Sequence, residues 1–292
     1  MSDQEAMSLS CLSISTAIRT GARRLREADV AEPRREAGLL LAHVLGRDRS
    51  FMVAHADDFL TDEQSKALQY LVERRAGGEP LQYITAHQEF FKLDFEVTPK
   101  VLIPRPETES TVETALEFLK HAPAPYFADI GTGSGCIAIS MLAELPGARA
   151  LATDISPAAL CVARRNAERH GVTDRLVLLE SDCFSTLEPK EPFSLIASNP
   201  PYVSEDEMQS LQREVRFEPR AALVAGSDGL AVIRRLLREA RPFLRAGGYF
   251  VFEIGFGQRE AVEQLVDRRV WKLLEIREDL QSIPRTFVLQ GK

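Results

Sequence analysis

The chain has few cysteines, four in all. Cys11, Cys136, Cys161 and Cys183 lie far apart without a Cys-x-x-Cys pair, so neither a disulfide framework nor a zinc scaffold is expected, and the thiols read as reduced. His43, His55, His87, His121 and His170 are scattered without metal-ligand spacing, and no metal is expected. No apolar run approaches the roughly 20 residues that span a bilayer, so no membrane partner is expected. The chain also lacks a basic excess: 36 Lys and Arg stand against 43 Asp and Glu, a net charge of −7. Such a balance gives no general attraction to phosphate backbones, and stable nucleic-acid binding is not expected. The opening Met1-Ser2-Asp3-Gln4-Glu5 has no basic n-region of a signal peptide, which predicts a cytoplasmic protein.

What is present is length and ordinary globular composition. With 292 residues, 45% of them hydrophobic, the chain predicts two domains or one domain with a large appendage. The first part is helical in period. Ala37, Leu40, Leu41, Val44 and Leu45 share a face after Pro33, and Gly46 ends the pattern; Thr61-Asp62-Glu63-Gln64 matches a capping box, and Gly77-Gly78 closes the helix that follows. Three or four short helices are expected there. Phe91, Leu93, Phe95 and Val97 then alternate with charged residues, with Val101-Leu102-Ile103 as a returning strand. We therefore expect an N-terminal helical domain over residues 1–88, a β-hairpin linker over 89–104 and a third segment over 105–292.

In that third segment strand and helix alternate. Strands are expected at Tyr126–Ile130, Ala150–Asp154, Leu176–Leu179, Leu195–Ser198, Tyr249–Ile254 (after a Gly247-Gly248 turn), Trp271–Ile276 and Thr286–Leu289. This is the pattern of an α/β fold, a Rossmann-like doubly wound, mostly parallel sheet with helices on both faces. Gly131-Thr132-Gly133-Ser134-Gly135 falls between the first strand and helix, where glycines let the backbone turn sharply and approach a ligand. A dinucleotide loop wants G-x-G-x-x-G; here the third glycine comes one residue early. Asp154 ends the second strand, where a carboxylate can accept from ribose hydroxyls or cap the helix near Ser156. Asp182 follows the third strand, and Asn199-Pro200-Pro201-Tyr202 follows the fourth.

The last loop points to chemistry at a planar nitrogen. A planar NH₂ is a poor nucleophile because its lone pair is delocalised. The Asn199 side-chain oxygen and the Pro200 carbonyl are two acceptors that can take both its N–H groups, and the prolines hold them rigid. Tyr202 offers a ring on which a planar group can stack. The shortened glycine loop resembles that of the class I methyltransferases, whose S-adenosyl-L-methionine has no pyrophosphate to hold.

Taken together, Gly78-Glu79-Pro80-Leu81, Ile103-Pro104-Arg105-Pro106-Glu107-Thr108-Glu109, the glycine loop, Asn199–Tyr202, Val215–Pro219 and Glu253-Ile254-Gly255 resemble the bacterial peptide chain release factor glutamine-N5 methyltransferases over most of the chain. The resemblance implies a seven-stranded methyltransferase sheet over 105–292, with cofactor contacts at Gly131, Thr132, Gly133, Ser134, Gly135, Asp154, Asp182, Cys183 and Asn199. It implies that the glutamine of a Gly-Gly-Gln loop lies against Asn199, Pro200, Pro201 and Tyr202, with Asn199, Pro200 and Tyr202 catalytic. Beside Asp182 the family often carries an aromatic residue; here Cys183 stands there, followed by Phe184. The cofactor site is expected to be complete from about residue 105 onward, leaving the helical domain to dock a release factor. Two other readings compete. One is an adenine-N6 or guanine nucleic-acid methyltransferase, which shares the Asn-Pro-Pro-Tyr loop; the other is a non-enzymatic nucleotide-binding scaffold, which leaves Asn199 and Tyr202 unexplained.

Overall fold

The computed structural model describes residues 12–292, so Cys11 and the Met1–Glu5 segment lie outside the described residues. These residues form two compact units: one runs to Ala86 and includes Arg213–Phe217, and the other comprises His87–Gln212 and Glu218–Lys292.

The first unit holds five helices among the described residues, where three or four were expected: α1 (Ile14–Glu27), α2 (Pro33–Leu45), α3 (Arg49–Ala54), α4 (Asp62–Ala76) and α5 (Leu81–Thr85). The additional short turns carry too few residues to show a period. Their punctuation is legible. Pro33 opens α2, Gly46 ends it at φ 61°, and the Thr61/Gln64 capping box closes reciprocally at the start of α4. Leu25, Leu40, Leu41, Leu68 and Val72 meet in one apolar core. Arg75 is buried on α4 and ion-pairs with Glu36 of α2 and, at 2.9 Å, with Glu214. That second pair ties the Arg213–Phe217 segment to the helices, an association that no pattern in the sequence announces.

The second unit begins with a hairpin, β1 (His87–Phe90) and β2 (Leu93–Glu96). This corrects the expected hairpin over residues 89–104. The chain reverses at Phe91 and Lys92, both with positive φ (51° and 62°), without the Gly or Asn that normally marks such a turn. The strain is offset locally. Glu109 accepts from the Phe91 N–H at 2.8 Å, and Phe90 packs edge-on against Phe95, both fully buried. Val101–Ile103 is not a strand, since the Ile103 N–H donates to the Glu218 carboxylate.

There follow α6 (Pro106–Leu119), β3 (Tyr126–Ile130), α7 (Cys136–Glu144), β4 (Arg149–Asp154), α8 (Pro157–Arg169), β5 (Leu176–Glu180) and β6 (Phe193–Ser198). After them come α9 (Arg220–Leu223), α10 (Ala231–Glu239), β7 (Leu244–Glu253), α11 (Arg259–Leu265), β8 (Trp271–Glu278) and β9 (Pro284–Gly291). The seven-stranded sheet runs β5-β4-β3-β6-β7-β9-β8. Its first five strands are parallel, and β9 is antiparallel to both neighbours. Both faces are covered. Val251 packs with Val112, Leu119 and Ile139 on one side, while Phe250 and Phe252 pack with Ile233, Leu236 and Trp271 on the other. Gly247-Gly248 lies inside β7 and not before it, where the pairing to β6 breaks register between Leu244 and Tyr249. The strand order reverses between β3 and β6, which is where open α/β sheets bind ligands, beyond the carboxyl ends of the strands.

The capping box gives a direct test. Thr61→Ala leaves the Gln64 N–H without its partner and should lower stability by about 1 kcal/mol, read from denaturant unfolding. An unchanged midpoint would mean that the cap contributes nothing.

Candidate active site

Three loops at the carboxyl ends of the strands meet at this reversal. The first is the glycine loop after β3. Gly131, Gly133 and Gly135 have φ of 77°, 56° and 84°, in the left-handed region that favours glycine. They differ in what surrounds them. A Cβ on Gly131 or Gly133 would meet no protein atom within 4 Å, whereas one on Gly135 would lie 2.7 Å from Ile139 and 3.3 Å from Ala163. Gly135 thus serves the close packing of α7 on α8. Buried Asp129 accepts from the Thr132 hydroxyl (2.6 Å) and the Ala138 N–H (3.2 Å), fastening the loop to the first turn of α7. Asp154 accepts from the Gly133 N–H and the Ser156 N–H, both at 2.9 Å, and so joins the loop to the start of α8. The cap of α8 is Ser156 itself, whose hydroxyl accepts from the Ala159 N–H.

The second loop follows β5. The Asp182 carboxylate is paired with Arg235 of α10 at 2.6 Å. Cys183 has φ 50°, and burial pushes its thiol up to about 11, so it is a neutral, soft wall. Phe184 turns away and stacks on Phe243 in the core, with ring centroids 4.8 Å apart.

The third loop follows β6. Ser198 Oγ donates to the Ile130 carbonyl at 2.6 Å, so the third loop leaves the sheet beside the first. Asn199 Nδ2 donates to Thr108 Oγ1 (2.9 Å), which donates to Glu253 Oε2 (2.7 Å). The Tyr202 hydroxyl donates to Glu253 Oε1 at 3.2 Å. Burial pushes Glu253 up to about 7, against the pull of the Thr108 and Tyr202 hydrogen bonds. Burial and the neighbouring Glu253 charge raise the Tyr202 phenol, which stays protonated. Gln258 Nε2 donates to the Tyr202 carbonyl at 2.9 Å, and a Cβ on Gly229 would lie 2.3 Å from that oxygen.

One cavity of about 410 Å³ brings these loops together. Gly131, Thr132, Gly133, Ser134, Asp154, Asp182, Cys183, Asn199, Pro200 and Pro201 all line it. Gly135, Phe184 and Tyr202 do not: Gly135 lies under α8, and Tyr202 is held against Glu253 and so does not offer its ring to the cavity. The wall also starts earlier than residue 105, since Lys100, Val101, Leu102 and Pro104 are part of it. Buried Glu218 fixes that segment by accepting from the Ile103 N–H at 3.0 Å and from Arg105. Thr108, Glu218 and Glu253 have no role that the sequence pattern announces. Isolated polar residues carry no spacing that would single them out; only their presence in the family-like motifs was a signal. The mixture of backbone amides, an acidic acceptor and apolar walls such as Ile137, Ile155 and Leu236 suits a nucleoside-sized ligand. Among the described residues, no group of three or more His, Cys, Asp or Glu is placed to hold a metal, and no helix is long and apolar enough to cross a membrane.

Comparison with known proteins places the fold and the family. The "Methyltransferase small domain" family model matches residues 109–227, and the "PrmC N-terminal domain" model matches residues 16–85. Among solved structures, the hMettl16 catalytic domain in complex with a MAT2A 3'UTR hairpin superposes with a TM-score of 0.57 at 18% identity, over 76% of this chain and 81% of that one. The fold is therefore that of the methyltransferases. A release factor glutamine methyltransferase of Koribacter versatilis is 39% identical over 278 residues, covering 95% of this chain and 98% of that protein. One from Geobacter sulfurreducens is 46% identical, covering 84% of each. The chain belongs to the release factor glutamine methyltransferase family.

Asp129 gives a pH test. Burial pushes its carboxyl up to about 7 from an ordinary 3.8, so between these values the folded chain holds a proton that the unfolded chain has lost. Its contribution is fully present below about pH 4 and fades as pH rises through 7, by up to about 4 kcal/mol. Asp129→Asn should flatten the fall of stability across this window, measured by denaturation at several pH values. The slope is the readout, and an unchanged slope would show that Asp129 does not titrate there.

Proposed function

We propose that the chain transfers a methyl group from S-adenosyl-L-methionine to the side-chain amide nitrogen of a glutamine in peptide chain release factors, the glutamine of a Gly-Gly-Gln loop. The observation that carries this reading is that Asn199 and Pro200 line the same cavity as the glycine loop and Asp154. Family membership supports it, since the relatives named above are release factor glutamine methyltransferases.

The residues present fit the cofactor. Asp154 would accept from the ribose hydroxyls with the lone pairs its two backbone partners leave. Gly131–Ser134 would pass along the cofactor, and Ile155 and Cys183 would wall the base. Bound S-adenosyl-L-methionine supplies an electrophilic methyl on a sulfonium. Asn199 spends its Nδ2 on Thr108, which leaves Oδ1 as an acceptor. Asn199 Oδ1 and the Pro200 carbonyl would take the two N–H groups of the glutamine amide and aim its nitrogen into the cavity. These acceptors would hold the protons of the amide nitrogen as it takes the methyl, until one passes to water. Cys136 and Cys183, which also line the cavity, are held neutral by burial and are poor nucleophiles. A lone glutamine offers too little surface for selection, so the helical unit would supply docking affinity for the folded factor. A short Gly-Gly-Gln peptide should accordingly be a poor substrate beside the intact factor.

Two variants separate binding from turnover. Asp154→Ala should weaken S-adenosyl-L-methionine affinity by about 1.5–3 kcal/mol in calorimetry, the range for charge-assisted hydrogen bonds. Unchanged affinity in a folded variant would remove Asp154 from the cofactor site. Asn199→Ala should slow single-turnover methylation of release factor roughly 10²–10³-fold, with a much smaller effect on cofactor affinity. If labelled methyl entered DNA or RNA and not release factor, the substrate reading would be wrong.

A further inference from the structure

Glu253 touches neither the cavity nor, on the reading above, the substrate, yet it lies beneath both ends of the Asn199–Tyr202 turn. We propose that Glu253 is a positioning residue which, through Thr108, fixes which end of the Asn199 amide faces the substrate. The inference rests on the reading that Asn199 Oδ1 receives the glutamine amide.

An ionised carboxylate only accepts, and a threonine hydroxyl has one proton to give. Glu253 Oε2 takes that proton from Thr108 at 2.7 Å, so Thr108 Oγ1 can meet Asn199 at 2.9 Å only as an acceptor. Asn199 must then present Nδ2 to Thr108 and Oδ1 away from it. A flipped Asn199 would set two acceptors against each other and aim two donors at the donors of the glutamine NH₂. The other carboxylate oxygen accepts from Tyr202 at 3.2 Å, so the same group also holds the far end of the turn. Glu253 and Thr108 are confined, buried at 1% exposure each.

Protonating Glu253 removes this polarity. One of its oxygens becomes a donor, Thr108 is free to direct its proton at Asn199, and the amide is no longer set. The titratable and charged groups facing Glu253 are Tyr202 from the catalytic turn, Glu107 from α6, Arg285 from β9 and Cys136 from α7. Burial outweighs the pull of the Thr108 and Tyr202 hydrogen bonds and of Arg285, and pushes the carboxyl up to about 7. Turnover should therefore fall as pH drops through about 7.

The chain contains only two asparagines, Asn166 and Asn199, so protein labelled with ¹⁵N in asparagine side chains gives two NH₂ signals in an NMR spectrum. Asn166 donates to the Glu96 and Ser134 carbonyls and serves as an internal reference. In the wild type without added ligand, the Asn199 pair should titrate with a midpoint near 7 while the Asn166 pair stays fixed. In Thr108→Val the Asn199 pair should move, and turnover should fall about 10–100-fold with the KM for S-adenosyl-L-methionine within about threefold. Thr108→Ser, which keeps the hydroxyl, should recover most of that loss. In Glu253→Gln the acid limb of the rate profile and the Asn199 titration should both disappear. An Asn199 signal indifferent to Thr108→Val, or an acid limb that survives Glu253→Gln, overturns the proposal. Should Thr108→Val fail to fold, the Glu253→Gln titration decides alone. Wild-type enzyme that leaves release factor unmethylated would overturn the functional reading, while the NMR signals would still report on the relay.

Discussion

A carboxylate removed from water must recover its hydrogen bonds from its surroundings or give up its charge, and this constraint organises the catalytic unit. Asp129, Asp154, Glu218 and Glu253 lie wholly or mostly beneath the surface, and each ties down chain that would otherwise be free. Asp129 and Asp154 take the glycine loop from either side, Glu218 takes Ile103 and Arg105, and Glu253 takes Thr108 and Tyr202. Burial raises all four toward neutrality. The walls of the cavity are thus held by charges that are costly to keep buried, which makes every loop around the site sensitive to loss of its partner.

Much of the fold was legible because strong local signals agree. Tyr126–Ile130 has the bounds expected of it, and Ser156 with Pro157 opens α8 as its chemistry demands. Where local signals were absent, reading failed. The hairpin turns on Phe91 and Lys92, two residues with no intrinsic preference for positive φ, so the alternation that continues past them looked like one strand. Gly247-Gly248 resembled a turn because glycine marks bulges and turns alike. The place of Arg213–Phe217 depends on Glu214 meeting Arg75 across 139 positions, which no local window contains.

The candidate site was legible to the extent that it is built at strand ends. Gly131, Asp154, Asp182 and Asn199 each stand at or just past the end of a parallel strand, and the topology of the sheet brings such positions together. Side-chain direction was not legible. Tyr202 reads as an exposed ring in the sequence, but the close approach allowed by Gly229 and Gly255 and the acceptor at Glu253 turn it inward. Thr108 was visible only as part of a motif, because a helical threonine says nothing of its neighbour until α6 is packed on the sheet.

The late return of Arg213–Phe217 to the helical unit has a consequence for synthesis. A chain emerging from the ribosome at about 5–20 residues per second delivers Glu214 some 7–28 s after Arg75, which lies 139 residues earlier. Through that interval the helices have their apolar core and the Glu36 partner, but the guanidinium lacks one of its two anions. The first unit to appear is therefore among the last to be completed. Its final contact waits on nearly the whole parallel part of the sheet, since β3 to β6 all precede residue 213.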